Sequence, residues 1–335
     1  MKKFLKITGI ILLLLIAVLF TAPFLFRGKI IELVKSEINK RINAKADFKG
    51  VDVSLFRKFP RVSVSVEELS ITGNGGFAGD TLLWAKKIDV ALNLMSVIRG
   101  SDMKIYSIDI TQPRIHAIVP KTGKANWDIM KPDTVSVAAE EKPFHMELER
   151  YAIEDGYLSY IDSASVMSSE VFHLNHQGSG DFNADAFTLK TKTSADAVNF
   201  VYGAITYLVN TKASVGVDIQ IDNKTNKYAF KTDDIALNEL KIASEGFFQI
   251  MNDSAYNMDI RFNAPSTDFK NILSLIPVVY QKDFSKIKTE GKVIFNGVVK
   301  GIMSGDKLPA YTVNLDVANG FFQYPDLPAP VKNIN

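Results

Sequence analysis

From Asp47 onward, apolar residues return at every second position in run after run, and only one stretch slows to a helical rhythm. Val62, Val64 and Val66 alternate with Ser63, Ser65 and Glu67, and Ile88, Val90, Leu92 and Leu94 alternate with Lys87, Asp89, Ala91 and Asn93. Tyr106, Ile108 and Ile110 stand against Ser107, Asp109 and Thr111. The longest clean run sets Val215, Val217, Ile219 and Ile221 against Gly216, Asp218 and Gln220. Successive strand side chains point to opposite faces, so each run predicts a half-buried antiparallel strand, apolar on one face and polar on the other. At Glu67 and Glu68 the alternation slips by one before Leu69 and Ile71 resume it, as a β-bulge would make it do.

Further strands are expected at Phe144 to Leu148, Tyr157 to Ile161, Met258 to Phe262 and Val313 to Val317. The turn Lys121-Thr122-Gly123-Lys124 is expected to close a hairpin arm around Ile115, Ala117 and Val119. A helix is predicted over 267–276, where Phe269, Ile272, Leu273 and Ile276 share a face, Ser266 or Thr267 caps and Pro277 stops. Residues 131–143, rich in Pro, Ala and Glu, read as a linker or mobile loop between a β region at 47–130 and a second at 144–335. Gly156-Tyr157-Leu158, Gly246-Phe247-Phe248 and Gly320-Phe321-Phe322 open a short internal echo. It fits strands added along one axis, or glycine simply beginning a strand after a turn.

So many strands have far more apolar face than one helix can cover. Their faces must meet a second sheet, or they must line a groove that something apolar fills. The beginning of the chain bears on that choice. Residues 7–26 are twenty consecutive residues without a charge, bracketed by Lys2, Lys3 and Lys6 before and Arg27 and Lys29 after. Twenty helical residues span about 30 Å, a bilayer's hydrocarbon thickness, so residues 1–27 are expected to form an uncleaved transmembrane anchor with a cytoplasmic N-terminus. Residues 28–46, with Ile30, Ile31, Leu33, Val34, Ile38 and Ile42 at helical spacing, predict an amphipathic helix, packed on the end of a sheet or lying on the membrane surface. An anchored sheet with an open apolar face could hold acyl chains out of water, at about 0.8 kcal/mol per buried methylene.

Catalytic chemistry finds little footing. There are no cysteines, which excludes disulfides, thiolate metal sites and a Cys nucleophile. The net charge of +2 is spread without a basic block, so no nucleic-acid partner is expected. His173 and His176 are three apart in a strand-like stretch, on opposite faces, and His116 and His145 lack local partners in ligand spacing, so no metal and no cofactor are expected. Gly73, Gly75 and Gly79 lack the Lys-Ser/Thr of a phosphate loop. Glu67, Glu68, Asp233 and Asp234 read as solvated carboxylates. Trp84 and Trp127 read as core residues or as interfacial anchors, with the core favoured by the usual burial of tryptophan. The chain is expected not to be an enzyme.

Several segments carry a resemblance. They are Phe59-Pro60-Arg61-Val62-Ser63-Val64 leading to Leu69-Ser70-Ile71-Thr72-Gly73, Ile105 to Pro113 with Asn126-Trp127-Asp128 after it, Gly156-Tyr157-Leu158-Ser159-Tyr160, and Gly320-Phe321-Phe322-Gln323-Tyr324-Pro325-Asp326-Leu327-Pro328. With the anchor, they resemble the AsmA family of bacterial envelope proteins, which is similar in architecture to TamB and the chorein-type bridge-like lipid transfer proteins. The resemblance implies a mainly β fold: a transmembrane helix and an amphipathic helix, then an elongated, twisted antiparallel sheet forming a hydrophobic groove. It implies a single-pass inner-membrane protein with its body in the periplasm, moving phospholipid toward the outer membrane and maintaining that membrane. Full members are usually longer, so the chain is expected to be an N-terminal portion or a short member. The expected partners are phospholipid acyl chains, the inner membrane, and outer-membrane or envelope assembly proteins. The groove candidates are Val62, Val64, Val66, Ile88, Val90, Leu92, Val215, Val217, Ile219 and Ile221. A scaffold that binds outer-membrane proteins by strand addition, without moving lipid, is the alternative.

Overall fold

The computed structural model describes residues 31–32, 35–36, 38–58, 61–93, 105–131, 148–182, 184–203, 205–252, 255–275, 286–304, 307–324 and 328–335. The expected anchor and most of the 131–143 linker lie outside them, as do Leu94, Phe144 and Met146. Among the described residues no helix is long and apolar enough to cross a membrane.

Fifteen strands form one sheet. They are β1 (Ala44–Asp47), β2 (Gly50–Lys58), β3 (Arg61–Gly73), β4 (Thr81–Asn93), β5 (Ile105–Val119), β6 (Arg150–Asp162), β7 (Met167–Ser179) and β8 (Ala186–Tyr202). After them come β9 (Ile205–Asp222), β10 (Lys227–Leu237), β11 (Leu240–Asn252), β12 (Ala255–Asp268), β13 (Lys288–Ser304), β14 (Ala310–Gln323) and β15 (Val331–Ile334). From β3 to β15 each strand pairs with the next in sequence, and β1 and β2 share the outer edge of β3. At about 4.8 Å per strand, the sheet extends on the order of 60 Å along its hydrogen-bonding direction.

The pairing corrects one expectation. β5 and β6 are parallel, Ser107 opposite Arg150 and Val119 opposite Asp162, so the sheet is mixed and not wholly antiparallel. A parallel pair needs a long return connection, and the segment between Val119 and Arg150 supplies it. The turn at Lys121 exists, with Gly123 N–H donating to the Pro120 carbonyl at 2.9 Å, but the expected hairpin arm does not re-enter the sheet. Its course is pinned instead by Asn126, which accepts from Ile118 N–H at 2.9 Å and donates to the His116 carbonyl at 2.7 Å.

The amphipathic segment is helical at residues 31–32, 35–36 and 38–41, and then Ala44–Asp47 is strand, so the helix stops short of the expected 46. Its packing is on the sheet: Ile38 lies against buried Ile42, Ala44 and Ala46. Asn39 binds the backbone of Ala46 twice, accepting from its N–H at 2.7 Å and donating to its carbonyl at 2.9 Å, which closes part of the outer edge of β1. The later helix is shorter than expected. α1 is Phe269–Leu273, β12 runs through Asp268, and neither Ser266 nor Thr267 is the cap residue. All three echo glycines lie inside strands β6, β11 and β14, so glycine does not begin a strand there.

Candidate functional site

Residues directly opposite one another in a ladder share a face, which lets the register trace each face across the sheet. Val64 faces Val90, Val90 faces Ile108, Ile108 faces Tyr151, Tyr151 faces Gly178, Gly178 faces Thr191 and Thr191 faces Val217. The three predicted sets, Val62/Val64/Val66, Ile88/Val90/Leu92 and Val215/Val217/Ile219/Ile221, therefore stand on one side of the sheet although five strands separate the first set from the last. The same side continues through Phe230 opposite Ile219, and Tyr228 opposite Ile221. It runs on to Phe248, Ile260, Phe262, Val299 and Val313. Phe248 stacks on Tyr256 at 5.4 Å between ring centroids, and Phe262 meets Phe295 at 5.4 Å.

This wall lacks a covering layer among the described residues. Extensive strand-to-strand contacts occur only between hydrogen-bonded neighbours, so no second sheet is stacked on the first. Val62 is buried, whereas Val64, Val66, Ile88, Val90, Leu92 and the four residues of β9 are half-buried. Toward the β14 edge the wall becomes open, with Tyr311 73%, Val313 53% and Leu315 53% exposed.

A line of unusual backbone keeps the wall continuous. Glu68, Gln112, Asp155, His173 and Asn210, in β3, β5, β6, β7 and β9, all have φ between +47° and +52°. Each residue in this left-handed conformation resets the alternation, so apolar residues on both sides of it emerge on the same face. Gly156 reports the result. A Cβ there would lie 3.1 Å from Ile153 Cγ2 and 3.3 Å from Pro113 Cγ, so positions three apart in β6 are neighbours on one face. Beyond the line the apolar row resumes as Ile71, Leu83, Ile115, Leu158, Val171 and Val198. The polar side chains at the line bind across strands. Lys49 Nζ donates to Glu68 at 2.7 Å, Gln112 donates to Asp155 at 2.9 Å, and the His173 ring contacts the other Asp155 oxygen at 2.6 Å. The Gln112 amide, followed by His173, holds the Asp155 carboxyl below the ordinary carboxylate value.

The opposite face carries the charges and pairs them, Lys87 with Asp89, Arg150 with Asp109, Lys231 with Glu245, and Lys300 with Asp259, and it also holds Phe247, Val298 and Ile302 toward the β14 edge. A hollow of about 660 Å³ lies there, lined by Asp89, Asp109, Arg150, Glu154, Gln177 and Lys192 among others. Within it Arg150 forms a salt link with Asp109. Among the described residues, no group of three or more His, Asp or Glu side chains could hold a metal ion.

Sequence spacing did not find one polar cluster on the apolar wall. His176 bonds through Nδ1 to the Thr193 hydroxyl at 2.8 Å and through Nε2 to the Tyr151 hydroxyl at 3.0 Å. Burial pushes the His176 imidazole below its ordinary value and the Tyr151 phenol above its own. The three residues come from three strands, and only the register brings them together. Trp127 departs from the expected core position, being 42% exposed on the irregular arm after β5. Trp84 is half-buried in β4.

A search of curated proteins finds no match to this chain. The sequence profile of the AsmA family matches residues 1–266, most of the chain and every strand from β1 to β11, and the chain therefore belongs to the AsmA family.

Proposed function

We propose that this protein is anchored in the inner membrane by residues 7–26, with its body in the periplasm, and holds phospholipid acyl chains against the apolar face of its sheet on their way toward the outer membrane. The single observation that carries this reading is the wall itself. Apolar side chains from β3 to β14 share one face, are largely half-buried, and have no protein layer over them among the described residues. An uncovered apolar strip of this extent is unusual for a soluble protein, because each half-exposed side chain forfeits part of its transfer free energy. Hydrocarbon recovers that energy without the directional contacts a protein layer would require. Family membership supports the same reading.

Mass spectrometry of lipids that copurify with detergent-extracted protein tests it. Phospholipid in near-stoichiometric amount is the expected result, and a protein that purifies lipid-free from a lipid-replete membrane would reject it.

One observation favours a second reading, a scaffold that adds a partner's strand. Beyond Gly320 and Phe322, which pair with Ile334 and Val331, the outer edge of β14 over Ala310 to Ala318 has no described strand beside it. Open edges of this kind accept strands from other chains. Crosslinking from β14 that captures envelope proteins, with no lipid copurifying, would favour the scaffold.

A further inference from the structure

The two ends of strands β6 to β9 differ in chemistry. At one end, the turns after β7 and β9 carry Asp181, Asp185, Asp222 and Lys224, with Lys224 and Asp185 paired at 2.8 Å. At the other end, the turn after β8 is uncharged and the turn after β6 has Asp162 as its single charge, which accepts from Ala164 N–H and Ser165 N–H, and the two turns expose Val166 at 57% and Ile205 at 59%. The arm that follows β5 leaves the sheet at this second end. It exposes Trp127 and, at 73%, Met130, beside the exposed lysines Lys121 and Lys124.

The start of the chain reaches the sheet at the same place. Ile42 forms a β-bridge with Met130, Lys131 N–H donates to the Arg41 carbonyl at 3.0 Å, and Lys131 Nζ donates to the Asn39 carbonyl at 3.0 Å. The arm is thus fastened to the helical residues 38–41, and the uncharged run of residues 7–26 precedes them in the sequence.

We propose that the arm Pro120 to Lys131 rests on an anionic bilayer surface, with the turns at Val166 and Ile205 extending the contact; this rests on the membrane-anchored reading above. Tryptophan settles at the bilayer interface because its ring is apolar and its N–H wants a polar partner. Lysines attract anionic headgroups, and the arm holds three against one aspartate. The contact would also join the bilayer to the apolar wall. The Trp127 ring lies 6.1 Å from that of Tyr160, opposite Ala117 in the row that continues Ile115 and Leu158. Acyl chains leaving the bilayer under the arm would meet the wall without crossing water.

The test uses the full chain with Trp84→Phe, which leaves Trp127 as the single tryptophan, reconstituted into vesicles of phosphatidylcholine and phosphatidylglycerol with brominated acyl chains. Trp127 emission is expected to shift to the blue and lose at least half its intensity, most strongly with bromines near the ester end of the chain. Lys121→Glu with Lys124→Glu should reduce that quenching about twofold. A reference protein with Trp84→Phe, Trp127→Phe and Lys224→Trp, reporting from the charged end, should stay unquenched. Vesicle flotation runs in parallel. Protein that floats while Trp127 is quenched no more than the reference overturns the surface contact and leaves the anchor standing. Failure to float overturns the anchor and the contact together. Trp127 emission that follows protein density and ignores bromolipid content means that a second copy covers the arm, which also overturns the proposal.

Discussion

Ile219→Asp separates an open wall from a sealed core. Ile219 stands on the apolar face between Leu189 of β8 and Phe230 of β10, and it is half-buried. Complete burial of an isoleucine is worth about 1.5–3 kcal/mol, so half of that, about 1 kcal/mol, is lost on replacement. The poorer strand propensity of aspartate adds up to about 1 kcal/mol. The new carboxylate can turn into the solvent that already reaches the site, so its desolvation adds little. An open wall therefore predicts a loss of about 2 kcal/mol, and a sealed core, with an uncompensated buried charge, about 4 kcal/mol or more.

Lipid occupancy should change by more than stability suggests. A charge at the centre of the wall denies contact to about two or three methylenes of a bound acyl chain, about 2 kcal/mol at the usual value per methylene. That is roughly a thirtyfold loss of bound phospholipid. Gln220→Asp puts the same charge on the same strand but on the other face, and should leave lipid content unchanged. Urea unfolding followed by circular dichroism, with phospholipid counted per protein on the same preparations, reads both quantities. Wild-type lipid content in Ile219→Asp refutes the wall as the binding surface, and an unfolded Ile219→Asp protein refutes its openness.

Two other perturbations test the frame. Gly246 has φ +147°, and a Cβ on it would fall 2.0 Å from the Asp259 carbonyl oxygen, so Gly246→Ala should cost about 3 kcal/mol, seen as a lower urea midpoint at unchanged slope. Gly75→Ala, at φ +61° with nothing within 4 Å, should cost only about 1 kcal/mol, and equal losses would refute the steric account. Because burial keeps the folded His176 imidazole below its ordinary value, the unfolded chain takes up a proton first as pH falls through about 6.5. Stability should therefore drop across that window and level off below the folded value. His176→Gln should flatten that step, and an unchanged pH profile would show that the imidazole is not held neutral.

The faces of the sheet were legible because period-two alternation is a local property: Val62 to Val66, Ile88 to Leu92 and Val215 to Ile221 were each visible within a few residues. The slip at Glu67 and Glu68 was also visible, and the left-handed Glu68 now accounts for it. Its recurrence in Ile110-Thr111-Gln112-Pro113 and Ile153-Glu154-Asp155-Gly156 is written in the same code, but it becomes a line only when the register aligns the strands. The parallel pairing of β5 and β6 was not legible, since a long connection permits either direction. Nor was the Tyr151–His176–Thr193 cluster, whose members meet only across strands. Trp127 was misassigned because tryptophan's size favours burial on average, and nothing local marks the arm as irregular.

The left-handed line gives a reason to regard the continuity of the wall as a functional property. A non-glycine residue held at positive φ costs about 1–3 kcal/mol, and along this line five strands hold one. In these five strands an unbroken alternation would turn the apolar residues beyond the line to the other face, whereas β4 and β8 bring Leu83 and Val198 into the same row without a left-handed residue. A fold that needed only local burial could do without both the strain and the parity change, since a break in the apolar face midway along the strands would do a stacked sheet little harm. A hydrocarbon guest is less tolerant, because its chain crosses several strands and each polar interruption removes methylene contacts. The hydrogen bonds from Lys49 to Glu68, and among Gln112, Asp155 and His173, offset part of the strain on the polar side. Strain and its compensation lie on one face, and the surface they keep unbroken lies on the other.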